Sequence, residues 1–372
     1  MSQQALPYHR ILVVKLRFHG DMLLTTPLIS TLKTHYHDAR IDVLLYEDTC
    51  PILSKNPDIH CLYGLKRKTA TLWEKIKDFH RIRKILKHNH YDLIINLADQ
   101  WPIALLIKSL GSQSIALARG SHNKGRCWRS LFSECVIPQG EHVIEQNRSI
   151  LAPLDLPVTQ QKDRMSLYYG PEDAEHVFSS HPHLLEQRYI VIQPTARQLF
   201  KCWDNDKLSQ VIDHFKEKRL EVVLTCGPSQ NDLDMIHDIH TQCKHKPDIT
   251  FAGQTSFLEL AALIDKAALY IGVDSAPMHM AAALNTPTVC LFGPTDHKKW
   301  RPWSDNSTVI WAGDYQTMPE RRHLDRNQKY LSCIPAKDVI QAAENLLADH
   351  DSRPPLSDGK EGIADEHRNL PV

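Results

Sequence analysis

Residues 269–284 read LYIGVDSAPMHMAAAL. LYIGV is a short apolar run with the composition of a strand buried on both faces. Asp274, Ser275 and Pro277 break that run with the polar and proline signals that open a helix. The helix reads through residues 278–284 and is followed by a second apolar run, TVCLF at 288–292. Strand, helix, strand at this pace leaves room for a crossover connection and therefore for parallel pairing. Working back along the chain, YIVIQ at 189–193 and EVVLT at 221–225 read as strands, with helical spacing at 206–218 and 257–268 between the runs. The same rhythm occupies the N-terminal half. Strands are expected at 10–15, 41–46 and 93–97, and helices at 23–34 and 72–86. Between residues 151 and 188 the pattern weakens and Pro153, Pro157, Gly170, Pro171 and Pro182 punctuate it. The chain is therefore expected to be α/β, with two tandem Rossmann-like doubly wound domains facing across a cleft. The expected boundaries are a first domain at 1–165, a linker with a lead-in helix at 166–188 and a second domain at 189–335. A C-terminal helix at 336–349 and a disordered polar tail at 350–372 follow.

Composition narrows the function class. The net charge is zero, but residues 60–130 hold fourteen Lys and Arg against four Asp and Glu. Such a stretch favours an anionic partner: nucleic acid, anionic lipid or a phosphorylated glycan. Its segment from Lys75 to Lys87 also reads as the solvated face of a helix. Nine cysteines at irregular spacings argue for free thiols rather than a disulfide scaffold. No secretory h-region and no run long enough to span a bilayer is visible, so a cytoplasmic protein is expected. Dinucleotide and P-loop glycine fingerprints, HExxH and zinc-type spacings are missing. Asp232-Leu233-Asp234 matches a metal-binding Asp-x-Asp pattern, but lies in a polar helical stretch and carries little weight.

In doubly wound sheets ligands bind beyond the carboxyl ends of the strands, which selects five loops. Asp274 and Ser275 stand at a helix start, where unpaired backbone N–H groups can hold a diphosphate; a plain N-cap role for Asp274 fits equally well. His279 alone reads more readily as a structural histidine. Lys201, in QPTARQLFKCW at 193–203, can pair with a phosphate, while Trp203 reads as core. Gly20 permits close approach of a ligand to backbone. Asp21 can take a proton from an attacking hydroxyl, or simply cap the helix that follows. Phe292-Gly293-Pro294-Thr295-Asp296 offers polar contacts or, more plainly, a turn and a cap.

Together, ILVVKLRFHGDMLLTTPLI at 11–29, IQPTARQLFKCW at 192–203 and YIGVDSAPMHMAAALNTPTVCLFGPTD at 270–296 resemble the ADP-heptose:lipopolysaccharide heptosyltransferases, glycosyltransferase family 9. The likeness runs from about residue 9 to 347 and is greatest to the heptosyltransferase III branch. It implies a GT-B fold, with acceptor bound by the first domain and ADP-heptose by the second. It also implies inverting transfer to a heptose of the lipopolysaccharide inner core, with no metal, no cofactor and no nucleic acid partner. By resemblance, Asp21 is the general base, and Thr195, Lys201, Ser229, Asp274, Ser275, Ala276 and His279 bind the donor. Relatives often carry an acid where this chain has Ser229. Gly20 and the basic residues Lys66, Arg67, Lys68, Arg119, Lys124, Arg126 and Arg129 are assigned to the anionic acceptor, which would be met at the inner face of the inner membrane. Another nucleotide-sugar enzyme of the same fold and a non-catalytic binder of anionic glycans are the alternatives.

Overall fold

The computed structural model describes residues 8–118, 125–156 and 164–351. Arg119, Lys124 and the expected disordered tail beyond residue 351 lie outside the described residues. The first half contains β1 (Arg10–Val14), α1 (His19–Leu23), α2 (Thr26–His35), β2 (Arg40–Tyr46), β3 (Cys61–Leu65) and α3 (Leu72–His88). It continues with β4 (Leu93–Asn96), α4 (Trp101–Leu110), β5 (Gln113–Leu117), α5 (Arg126–Arg129), β6 (Glu134–Val136) and α6 (Val143–Arg148). After α7 (Pro171–Phe178) the second half runs β7 (Tyr189–Gln193), α8 (Asn205–Glu217), β8 (Glu221–Cys226), α9 (Gln230–Gln242), β9 (Ile249–Ala252) and α10 (Phe257–Asp265). Then come β10 (Leu269–Val273), α11 (Ala276–Leu284), β11 (Thr288–Phe292), α12 (His297–Trp300), β12 (Ser307–Trp311) and α13 (Ala336–Asp351).

Both sheets are parallel throughout, ordered β3-β2-β1-β4-β5-β6 and β12-β11-β10-β7-β8-β9. Read from their own first strands, the two halves have one topology, with the order reversing between β1 and β4 and between β7 and β10. The expected strands are all present. Five more, β3, β5, β6, β9 and β12, were not expected, and four of these are sheet edges. An edge strand covered on fewer sides needs no continuous apolar run; β3, for example, is half-exposed along its whole length.

Three apolar clusters hold the layers. Leu12, Val14, Leu44, Ile82, Leu86 and Ile94 fill the outer face of the first sheet, and Ile190, Ile192, Phe215, Leu224, Val339 and Ala343 that of the second. The third cluster joins the domains. It runs from Ile11, Val13, Leu23 and Leu28 to Tyr189, Leu263, Met278 and Met280, with α1 packed directly on α11.

One local expectation changes. The helix expected from residue 23 starts earlier: Phe18 is the N-cap in extended conformation and α1 starts at His19. This short helix stops at Leu24, and α2 begins separately with Pro27 in its first turn. Proline is accepted there because a helix start has no N–H bond to lose.

Candidate active site

The loops at the carboxyl ends of β1, β4, β7 and β10 line a cleft of about 1900 Å³ between the domains. The first domain contributes residues 17–21 and Asp99; the second contributes residues 195–202, Gly227, Ser229, Asp274, Ser275, Ala276 and His279. The reversal of strand order opens this space, because the loops on its two sides diverge.

Asp274 is not a cap. Its backbone N–H donates to Leu291 O at 3.2 Å, and its nearly buried carboxylate lies 2.6 Å from Lys201 Nζ. Lys201 closes a 3-10 turn after β7, so the pair joins the loops of two adjacent strands. The N-cap of α11 is Ser275, whose side chain makes no bond to the helix start, and Pro277 sits in the first turn. Uncapped N–H groups and the helix dipole make this end of α11 attractive to an anion. Thr195 is buried, and its Oγ1 accepts from Gln193 Nε2 at 2.9 Å. Ser229 is the N-cap of α9: its Oγ accepts from Asp232 N–H at 3.3 Å and donates to Asp232 Oδ2 at 2.7 Å.

Across the cleft, Asp21 occupies the third position of α1. One carboxylate oxygen accepts the Phe18 backbone N–H at 3.4 Å. This one-way cap orients the side chain without enclosing it, since Asp21 is only half-buried. His279 lies between the two helix starts. It is 5 % exposed, and burial pushes its pKa down to about 4, opposed by Asp274 and Asp21 and aided by Lys201. The ring is therefore neutral near pH 7, and its Nδ1 has no hydrogen-bond partner. Gly20 lines the cleft and also stands against the other domain: a Cβ there would come within 2.8 Å of His279 Cδ2, so the glycine permits the close approach of α11.

The basic residues divide. Lys66, Lys68, Arg126 and Arg129 are exposed on the first domain and do not line the cleft. Arg67 reaches its rim, pairing with Asp48 at 3.1 Å, donating to Arg17 O at 2.8 Å and lying 4.5 Å from the Phe18 ring centroid. Sequence reasoning missed Arg197. Its guanidinium sits 3.5 Å from the centroid of the same ring, so Phe18 carries cations from both domains. Desolvation, then Arg67, lower the Arg197 pKa, while Asp21 opposes them. The only sequence signal was an arginine inside the loop already chosen for Lys201.

Three bland readings hold. Trp203 is core, with its indole N–H donating to Ile334 O at 3.2 Å. Asp296 caps α12 by accepting Lys299 N–H at 3.2 Å. Asp232 and Asp234 lie within α9, as the polar helical reading has it.

Two Rossmann-like domains, each a parallel six-stranded sheet with helices, that face each other across a cleft are the arrangement of the GT-B glycosyltransferases. Residues 79–331 match the model of glycosyltransferase family 9 (heptosyltransferase). The chain belongs to this family. It is 50% identical over 333 residues to lipopolysaccharide heptosyltransferase 3 of Escherichia coli K12, covering 89% of this chain and 96% of that one. Among solved structures, the family 9 glycosyl transferase of Veillonella parvula aligns with a TM-score of 0.80 at 23% identity, covering 93% and 99% of the two chains. The E. coli heptosyltransferase WaaC with ADP-2-deoxy-2-fluoro heptose aligns at 0.69 and 19% identity, covering 90% and 99%.

Proposed function

We propose that this glycosyltransferase moves heptose from ADP-L-glycero-D-manno-heptose to a heptose of the lipopolysaccharide inner core, as a heptosyltransferase of type III. The carrying observation is that one cleft gathers Asp21 from the first domain and Lys201, Asp274 and the open start of α11 from the second. The identity to a lipopolysaccharide heptosyltransferase 3 and the ADP-sugar analogue bound by a relative of the same fold support the choice of donor and acceptor.

The reaction is a single displacement. Asp21 takes the proton of an acceptor hydroxyl as that oxygen bonds to the anomeric carbon, and the bond from that carbon to the diphosphate breaks with inversion. ADP leaves carrying the bonding pair. Its growing charge is met by Lys201 and by the N–H groups of Ser275 and Ala276, with Asp274 left to hold sugar hydroxyls. Preorganised donors of this kind contribute about 3–4 kcal/mol each, enough to carry the leaving group without a metal. Arg197, whose charge is felt by Asp21, and Arg67, on the same Phe18 ring, meet the anionic acceptor. Lys66, Lys68, Arg126 and Arg129 extend that field over the surface of the first domain. The enzyme works in the cytoplasm at the inner face of the inner membrane.

The test is ADP release by the purified protein with ADP-heptose, core lipopolysaccharide lacking the side-branch heptose, and EDTA. Acceptor-dependent release is expected. Consumption of a different nucleotide sugar instead would discard the donor, and a requirement for added metal would discard the metal-free step.

A further inference from the structure

The first turns of α3 and α4 follow the carboxyl ends of β3 and β4, so they stand at the same edge of the first sheet as the cleft. The two helices pack side by side on one face of the sheet, tied by Arg83 Nε donating to Ser109 Oγ at 3.0 Å. Along α3 only Asp78, Ile82 and Leu86 are buried, and everything from residue 71 to 77 is exposed. Within that turn Leu72 is 72 % exposed, Trp73 78 % and Ile76 49 %; on α4 Trp101 is 43 % exposed and Leu105 56 %. Positions 72 and 76 lie one turn apart on one helix face, with 73 beside them, and 101 and 105 repeat that spacing on the neighbouring helix. These five account for nearly half of the large apolar side chains exposed among the described residues. Surface apolar residues are usually scattered; grouped, they mark an interaction site.

What covers them is decided by charge. Lys66, Lys68, Lys75 and Lys77 are exposed around the apolar turn, in the stretch where basic residues outnumber acids fourteen to four. A second copy of the chain would set these lysines against each other. An anionic bilayer would accept both features: tryptophan rings at headgroup depth, leucine and isoleucine just below, and lysine ammonium groups reaching up to phosphate.

We propose that the exposed first turns of α3 and α4 dock the enzyme on an anionic lipid surface. Asp99, two residues before Trp101, pairs with Arg17 at 3.0 Å, and both line the cleft. Docking through α3 and α4 therefore brings the acceptor side of the cleft to the membrane, where a lipid-borne glycan reaches Asp21 without leaving the bilayer. This deepens the proposed function and rests on it for the identity of the acceptor. The binding itself is tested without acceptor, so a failure to bind lipid and a failure to transfer sugar are separate results.

The test is sedimentation of the full chain with vesicles of phosphatidylcholine, with and without roughly one-third phosphatidylglycerol. Binding to the anionic vesicles is expected, with a blue shift of tryptophan emission. The double variant Leu72→Gln/Trp73→Gln should lower the partition coefficient at least tenfold and reduce the shift. Lys75→Gln/Lys77→Gln should lower partitioning by a similar factor at low salt and little at high salt. Both variants should keep wild-type turnover on a soluble, deacylated acceptor, which shows that they fold. Equal partitioning of wild type and variants, or equal binding to neutral and anionic vesicles, overturns the proposal. So does a dimer in light scattering that Leu72→Gln/Trp73→Gln dissolves, which assigns the face to a second copy.

Discussion

Two helix starts face each other across the cleft, and they are built oppositely. α1 and α11 each follow an inner strand of their sheet, pack on one another and touch through Gly20 and His279. The start of α1 is closed by its own carboxylate, because Asp21 caps the Phe18 N–H from the third helical position. The start of α11 is left open, because Ser275 makes no cap and Asp274 is turned away to Lys201. A helix start that carries a carboxylate repels a diphosphate; one without it attracts one. Two βα turns at non-equivalent places in the two halves thus have opposite charge preference, and in the proposed reaction the leaving group is met at one wall of the cleft and the base stands at the other.

The comparison breaks most visibly at Asp21. Asp21→Asn keeps an oxygen to accept the Phe18 N–H but cannot take a proton. Turnover should fall by about 100- to 10,000-fold while ADP affinity, measured by calorimetry, stays unchanged. A matching loss of ADP affinity would mean that the first helix start shares in donor binding. Lys201→Ala attacks the other wall. It removes a cation from the leaving group and leaves Asp274 nearly buried without its partner, so turnover should drop roughly 100-fold. ADP should bind more weakly, and thermal stability should decline by about 1–3 kcal/mol. Unchanged ADP affinity would place the diphosphate elsewhere.

A third test concerns the histidines held where the domains meet. His279 and His142 both have pKa values driven down to about 4 by burial, against an ordinary 6.5. His142 shows why protonation is costly: its Nε2–H donates to Arg301 O at 3.0 Å and its Nδ1 accepts from Ile144 N–H at 3.2 Å, so a second proton destroys a bond. Between pH 6.5 and 4 the unfolded chain binds protons that the folded chain refuses. Stability should therefore fall as pH drops through that window, by up to about 1.4 kcal/mol per pH unit for each histidine. Denaturant melts from pH 7 to 4.5 should show the slope, and His142→Gln should reduce it by one proton. An unaltered slope would mean that this ring is already charged in the native state.

Much of this could be read from the chain alone. The buried inner strands are continuous apolar runs, and a run such as LYIGV admits one reading because both of its faces are covered. The alternation of strands and helices then points to doubly wound sheets, in which Asp21 stands at the carboxyl edge of the first and Lys201 and Asp274 at that of the second. The resemblance of three strings named the chemistry. The edge strands were illegible, since half-exposed positions such as Cys61 and Gly64 carry no periodic signal. Tertiary structure decided whatever depended on two distant segments meeting. Only the folded chain shows that Asp274 pairs with Lys201 instead of capping a helix, that Gly20 makes room for His279, and that Arg197 joins Arg67 on the Phe18 ring. It also decided that Trp73 and Leu72, which pattern alone places on an ordinary amphipathic helix, find nothing to pack against. Hydrophobic periodicity is a property of neighbours in sequence, whereas pairing and burial belong to neighbours in space.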